Sequence, residues 1–275
     1  MGREQFLATL GFATRYLDLL ANDRGILPEA YHVLEIGTGW HPVQPIAHFL
    51  CGADHIRTVD IDPLLNSANV GKTLQHFRES ALDGTLLQAL PRARLDRIAH
   101  VRMQALGDPR STSSADLLQP YRVFTFTGQD WHKAEPPSSL DFSFSHSVLE
   151  YIPLASLRRL FHELRSLTKT TGVTAHFVSL KDQFSVFDSD LSPFNYLRYS
   201  SRMWKYLDSP LIPQSRLRSS DYLSALSDGG WTLFHQDSQL GKLEDLASIP
   251  LAAEFQSYTT EDLRVLRLWL AARLR

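Results

Sequence analysis

Two glycines set at alternate positions behind an acidic residue are the best-placed chemistry in this chain. Glu35-Ile36-Gly37-Thr38-Gly39 closes the apolar run Val33-Leu34, and Pro42 follows shortly after. Glycine at such positions lets the backbone turn sharply and approach a ligand closely. The N–H groups of a helix starting just beyond would point at that ligand. Further on, Val59-Asp60-Ile61-Asp62 offers a carboxylate able to accept hydrogen bonds from both hydroxyls of a ribose. Gly128-Gln129-Asp130-Trp131 offers a second, Asp130, suited to an adenine amino group, with Trp131 able to cover the ring. A fourth stretch, Asp141 to Ile152, carries Ser145, His146 and Tyr151.

His146 is the first candidate for a general base, because it lies just past an expected strand end; His176 is the second. Each could equally be a histidine that packs or hydrogen-bonds locally. Tyr151, Asp182 and Arg198 are weaker candidates for the acceptor side, and Arg198 has an ordinary surface arginine as its alternative. The histidines show no metal-ligand spacing, so no metal is expected. No G-x-S-x-G elbow is present, which removes an esterase reading.

The elements needed to position these residues are legible from periodicity. Phe6, Leu10, Ala13, Leu17 and Leu20 recur at helical spacing and predict an N-terminal amphipathic helix. A strand over 32–37, a helix with Pro42 at its first position, and a strand over 56–61 make a βαβ unit. Residues 66–106 read as an inserted helical segment, a pair broken at Pro91. Strands are expected over 121–127 and 140–145. A helix from Leu154 to Leu167, ended by Gly172, is expected before a strand over 173–180. Residues 184–206 are aromatic and irregular, readable either as a lid over an apolar acceptor or as core packing under a loop. Ser220 is expected to cap a helix stopped by Gly229-Gly230, before a strand over 231–236. Thr259-x-x-Asp262 is expected to open a last helix through Leu263, Leu266 and Leu270. The alternation predicts an α/β fold: a doubly wound, mostly parallel sheet in one domain over 1–275, with an N-terminal helix (1–30), a helical insertion (66–106) and a lid or substrate segment (183–218). In such sheets ligands sit beyond the carboxyl ends of the strands.

Composition narrows the partners. A net charge of −2 lacks the basic surplus of a nucleic-acid binder. Arg92, Arg94 and Arg97 fall in an expected helix and read as a solvated face. Hydrophobic residues at 43% and charged residues at 21% exclude a disordered chain. The one cysteine, Cys51, excludes an internal disulfide and a cysteine zinc site, and fits a reducing cytosol. The first twenty residues carry no secretory apolar core, and no run approaches the ~18 apolar residues of a membrane span. The expected partner is therefore a small-molecule substrate in the cytoplasm, without nucleic acid or membrane and with room for a homodimer.

The four motifs in this order resemble those of class I S-adenosylmethionine-dependent methyltransferases. Val33 to Gly39 looks like their first motif, Asp60 like the ribose acid, Asp130 like the adenine acid, and Asp141 to Ile152 like the fourth motif. Phe161 to Gly172 resembles the helix and glycine turn that follow. Stretches from His176 to Phe184, Phe194 to Tyr199 and Arg216 to Tyr222 look like a bacterial subgroup acting on small molecules or encoded with glycan genes. The resemblance implies S-adenosylmethionine as cofactor, with Glu35, Gly37, Thr38, Gly39, Asp60, Ile61, Asp130, Trp131 and Ser145 around it. It also implies methyl transfer to an O or N atom of a metabolite. Three positions depart from the pattern: His41 replaces a third glycine, Thr171 precedes Gly172 where Gly-Gly is common, and Glu150-Tyr151 replaces Glu-His. The rival readings are an NAD-dependent oxidoreductase, which would prefer G-x-G-x-x-G, and a non-catalytic partner protein that keeps the fold.

Overall fold

A computed structural model describes residues 1–21, 26–104, 111–128, 132, 136–209 and 213–275. In chain order the elements are α1 (Arg3–Ala21), β1 (Tyr31–Ile36), α2 (Val43–Leu50), β2 (Ala53–Asp60), α3 (Ser67–Asp83), α4 (Thr85–Ala89), α5 (Leu95–Met103) and α6 (Ser114–Leu118). There follow β3 (Val123–Thr127), β4 (Leu140–His146), α7 (Leu154–Leu167), β5 (Thr168–Ser179), α8 (Ser201–Leu207) and α9 (Ser219–Asp228). The chain closes with β6 (Trp231–Leu240), α10 (Leu243–Ala247), α11 (Thr260–Arg264) and β7 (Val265–Leu274). The strands form one seven-stranded sheet in the order β3-β2-β1-β4-β5-β7-β6. β1 pairs parallel with β2 and β2 parallel with β3, while β6 and β7 are antiparallel. This is the expected mostly parallel, Rossmann-like methyltransferase fold.

Contacts divide the chain into two compact units, one of residues 1–144 with 167–173 and one of 145–166 with 174–275. In the first unit, the predicted stripe of α1 is buried at Phe6, Leu10, Ala13, Leu17 and Leu20. Phe6 meets Phe77 of α3 edge-on at 4.8 Å, and Tyr16 lies 4.9 Å from Phe144. α2 is buried at every position, so a helix of eight residues is held by packing rather than by propensity. It starts at Val43, with Pro42 at the N-cap, one position before the expected place. The arginines of the insertion are engaged: Arg92 with Asp18 and Arg97 with Asp54, while Arg94 donates to the Pro28 carbonyl at 3.3 Å. The insertion holds three helices rather than a pair. Gly84 in the left-handed region (φ 83°) separates the first two, and the turn at Leu90 to Arg94 separates the last.

Gly172 does not end α7. That helix stops at Leu167, β5 begins at Thr168, and Gly172 lies inside the strand. A Cβ there would stand 2.4 Å from Thr168 Cγ2 and 2.9 Å from the Leu140 carbonyl, so the residue is glycine for close approach of another backbone.

In the second unit, Arg218 rather than Ser220 occupies the N-cap of α9, its N–H donating to Asp221 at 2.8 Å. Gly230 (φ 82°) turns the chain into β6 as expected. The largest difference is at the C-terminal end. Thr259 does cap a helix, accepting from the Asp262 N–H at 3.2 Å, but α11 ends at Arg264 and β7 follows. Leu263, Leu266 and Leu270 mimic helical spacing inside a nearly continuous apolar run. β7 lies within the sheet, between β5 and β6, and is buried at seven of its ten residues, which is what such a run signals in a central strand.

Candidate functional site

The parallel register aligns the carboxyl ends of β1, β2 and β3: Ile36 pairs with Val59, and Asp60 with Thr127. Each strand then runs into a turn hydrogen-bonded to its neighbour. The Gly37 N–H donates to the Val59 carbonyl at 2.7 Å, and the Gly128 N–H to the Asp60 carbonyl at 2.9 Å. Gly37, Gly39 and Gly128 all have φ between 65° and 102°, a region that costs other residues about 1–2 kcal/mol. The Gly39 N–H donates to Asp60 Oδ2 at 2.9 Å, which ties the first motif to the second. A Cβ added at Gly39 or at Gly128 would meet nothing within 4 Å, so open space flanks both turns.

Beneath this rim Glu35 is 4% exposed and accepts from the Thr58 hydroxyl at 2.8 Å. Burial pushes its pKa up to about 8; the Thr58 hydrogen bond opposes this and the nearby Asp60 charge adds to it. Thr38, itself buried, shares a hydrogen bond with the same Thr58 hydroxyl. Thr58 was not singled out from the sequence, yet it links two motif residues. The available signal was its register, directly opposite Glu35 on the neighbouring strand. Ile61 is largely exposed beside Asp60. His41, the departure from the glycine pattern, is hydrogen-bonded through Nδ1 to Thr73 of α3 at 3.1 Å. Asp130 and Trp131 lie outside the described residues.

The acceptor-side candidates fall in the second unit, and the structure separates them. His146 stacks on Phe177 at 4.7 Å and meets Trp269 edge-on at 6.1 Å. Burial lowers its pKa to about 4, so it is neutral at physiological pH but a weak base. His176 is completely buried, with Nδ1 at 2.8 Å from the Ser145 hydroxyl and Nε2 at 2.7 Å from the Thr174 hydroxyl. Both ring nitrogens are engaged and burial lowers its pKa to about 3. His176 is therefore held as a neutral imidazole by two hydroxyls, and one of these belongs to Ser145, itself fully buried. Asp182 is fully buried, accepting from the Phe184 N–H at 2.7 Å and the Asn195 amide at 3.1 Å. These contacts organise the turn that follows β5. Tyr151 is half-buried, its pKa raised to about 12 by burial and by Glu150. Arg198 is exposed, its guanidinium 5.6 Å from the Tyr199 ring.

The aromatic segment is split in the same way. Phe194, Tyr196 and Trp204 belong to a buried cluster with Leu197, Phe255 and Leu266, whereas Phe187 and Tyr206 are over 80% exposed. Among the described residues, Glu150, Arg216 and Arg218 are buried charged side chains that sequence reasoning did not single out. Glu150 is 2% exposed, and burial raises its pKa to about 8 against the opposing effect of the backbone N–H groups of Glu150 itself and of Ser179. Arg218 is fully buried and donates to the carbonyls of Leu263 and Val265 at 2.9 and 2.7 Å. It ties the start of β7 to the start of α9. No group of residues able to hold a metal occurs among those described.

No family model matches the chain, and no curated protein matches it. Solved structures do. A geranyl diphosphate methyltransferase determined in complex with SAM is similar over 97% of this chain and 85% of that one, at 12% identity and a TM-score of 0.51. A geranyl diphosphate methyltransferase determined with GPP and sinefungin is similar over 95% of this chain and 76% of that one, again at 12% identity and a TM-score of 0.51. At this identity the likeness is one of fold. The chain has a class I methyltransferase-like fold.

Proposed function

We propose that this chain is an S-adenosylmethionine-dependent methyltransferase acting on an O or N atom of a small-molecule metabolite. The observation that carries the reading is the hydrogen bond from the Gly39 N–H to Asp60 at 2.9 Å, made between a left-handed glycine turn and a carboxylate at the ends of adjacent parallel strands. The residues present fit the cofactor. Open space borders Gly39 and Gly128, and Asp60 Oδ1 has only a 3.4 Å contact with the Asp62 N–H, which leaves it able to accept from a ribose. The proposed cofactor set is Glu35, Gly37, Thr38, Gly39, Asp60 and Ile61, with Asp130 and Trp131 assigned from their motif.

When bound, the cofactor supplies an electrophilic methyl on a positively charged sulfur. The chain's own contribution is positional, since holding two reacting groups in line can supply roughly 7–11 kcal/mol. Glu35 is buried and, unliganded, neutral at physiological pH; a cation placed near it would favour its ionised form. Asp60 both orients the glycine turn and accepts from the ligand. His146 and Tyr151 stand nearest in sequence to the end of β4, with His146 able to accept a proton only from an acidic nucleophile, given its pKa of about 4. Arg198 is the cation assigned to an anionic group of the acceptor. The lid reading of residues 183–218 rests on Phe184, which is 38% exposed. Replacing Gly37 by Val together with Asp60→Ala is expected to abolish cofactor binding by calorimetry; unchanged affinity would sink the site assignment.

A further inference from the structure

α8 is a short helix pinned on one side and open on the others. Its single buried residue, Trp204, donates from Nε1 to the Gln214 carbonyl at 3.2 Å, stacks on Tyr199 at 6.2 Å, and lies under the Arg216 guanidinium at 5.1 Å. These contacts fix the helix to the apolar cluster of Phe194, Tyr196 and Leu197. Ser201 at its start donates to Glu254 from its N–H at 3.0 Å, and the remaining side chains are exposed. Met203, Tyr206 and Leu207 are 53%, 87% and 43% exposed, and helical geometry gathers them into one sector because they are three and four residues apart. Arg202 and Lys205 occupy the adjacent sector, both exposed. No acidic residue occurs between positions 191 and 207, and among the described residues neither cation has an ion-pair partner. A second apolar turn is tethered to the same point. Buried Gln214 accepts from the Gln183 N–H at 3.3 Å, and its own N–H donates to Asp208, just past α8, at 3.0 Å. From that tether Val186 and Phe187 project, 63% and 81% exposed.

We propose that α8 and the turn at 184–187 form a peripheral docking surface for an anionic lipid bilayer. Large apolar side chains held out in water by a rigid anchor signal a surface that is covered in use. Flanked by long unpaired cations, they have the composition of an interfacial membrane contact: aromatic and aliphatic side chains enter the headgroup region, while Arg and Lys meet anionic lipid. The cations are local, because the whole chain carries −2. A projecting helix this short offers little area for the roughly 800 Å² that a stable protein interface buries on each partner, whereas a bilayer requires no shape complementarity. Asp188 and Asp190 follow Phe187, so the attraction to anionic lipid must come from α8. Docking of this kind uses no spanning segment, so it departs from the expectation of no membrane partner, which rested on finding no such segment among the described residues.

The test is co-sedimentation of the full chain with vesicles of phosphatidylcholine alone, or of equal parts phosphatidylcholine and phosphatidylglycerol. The chain is expected to pellet with the mixed vesicles only, and to be released by high salt. Arg202→Glu with Lys205→Glu should lower the affinity at least about tenfold, and Tyr206→Ser with Phe187→Ser should do the same. These positions are exposed, so each variant should keep the parent's circular dichroism and melting temperature. No pelleting with the mixed vesicles, equal pelleting with both kinds, or folded variants that pellet like the parent would each overturn the proposal. Pelleting abolished by the apolar pair but untouched by the charge pair would overturn it too.

Discussion

A carboxyl group enclosed by apolar neighbours holds its proton until the solution is alkaline, and this chain has two such groups with different surroundings. Glu150 is 2% exposed, and burial raises its pKa to about 8. Because that value lies above the unfolded one, the folded state binds the extra proton, and stability falls as pH rises between about 4.5 and 8. Glu150→Gln removes the titration. It should therefore flatten the decline of melting temperature between mildly acid and alkaline buffer, at roughly 2–4 °C per kcal/mol for a large domain; an unchanged decline would show that Glu150 is already ionised at neutral pH. His176, with a pKa of about 3, works in the opposite direction: its contribution is lost as pH falls from 6.5 toward 3. Glu35 differs in standing beside the proposed cofactor. If a cationic ligand ionises it, binding releases a proton and tightens as pH rises toward 8. Calorimetry in two buffers of unlike ionisation enthalpy reads that proton directly, and Glu35→Gln should abolish the difference.

At the scale of elements, close approach decides more than propensity does. Gly172 sits inside β5 with the Leu140 carbonyl 2.9 Å from where a Cβ would be. Gly172→Val should therefore destabilise the chain by about 1–3 kcal/mol, measured by denaturant unfolding, although valine is intrinsically the better strand residue. The same contrast explains what was legible in the sequence. The first βαβ unit, the stripe of α1 and the cap at Thr259 were readable because each depends on local spacing or turn chemistry. β7 was not, because leucines three and four apart fit a helix as well as a buried strand, and only its place inside the sheet decides. Gly172 was misread for a related reason: a glycine that ends a helix and one that admits another backbone look alike in one dimension. In the proposed site, Glu35 and the first glycines stood out as a strand end marked by glycine, and Asp60 as the carboxylate closing the next strand. The engagement of His176 by Ser145, and the burial of Glu150, depend on neighbours distant in sequence.

For the whole molecule, the first compact unit holds the aligned rim of glycines and Asp60, and the second holds His146, Tyr151 and the anchored helix α8. Among the described residues no helix is long and apolar enough to cross a membrane. The class I methyltransferase-like fold is also compatible with a dinucleotide ligand and with a chain that has lost turnover, and fold does not decide between these. The deciding measurement is calorimetric titration of the purified chain with S-adenosylmethionine, with S-adenosylhomocysteine and with NADH. The account predicts micromolar binding of the first two and none of the third. NADH binding, or no uptake of either adenosyl ligand at millimolar concentration, would contradict it.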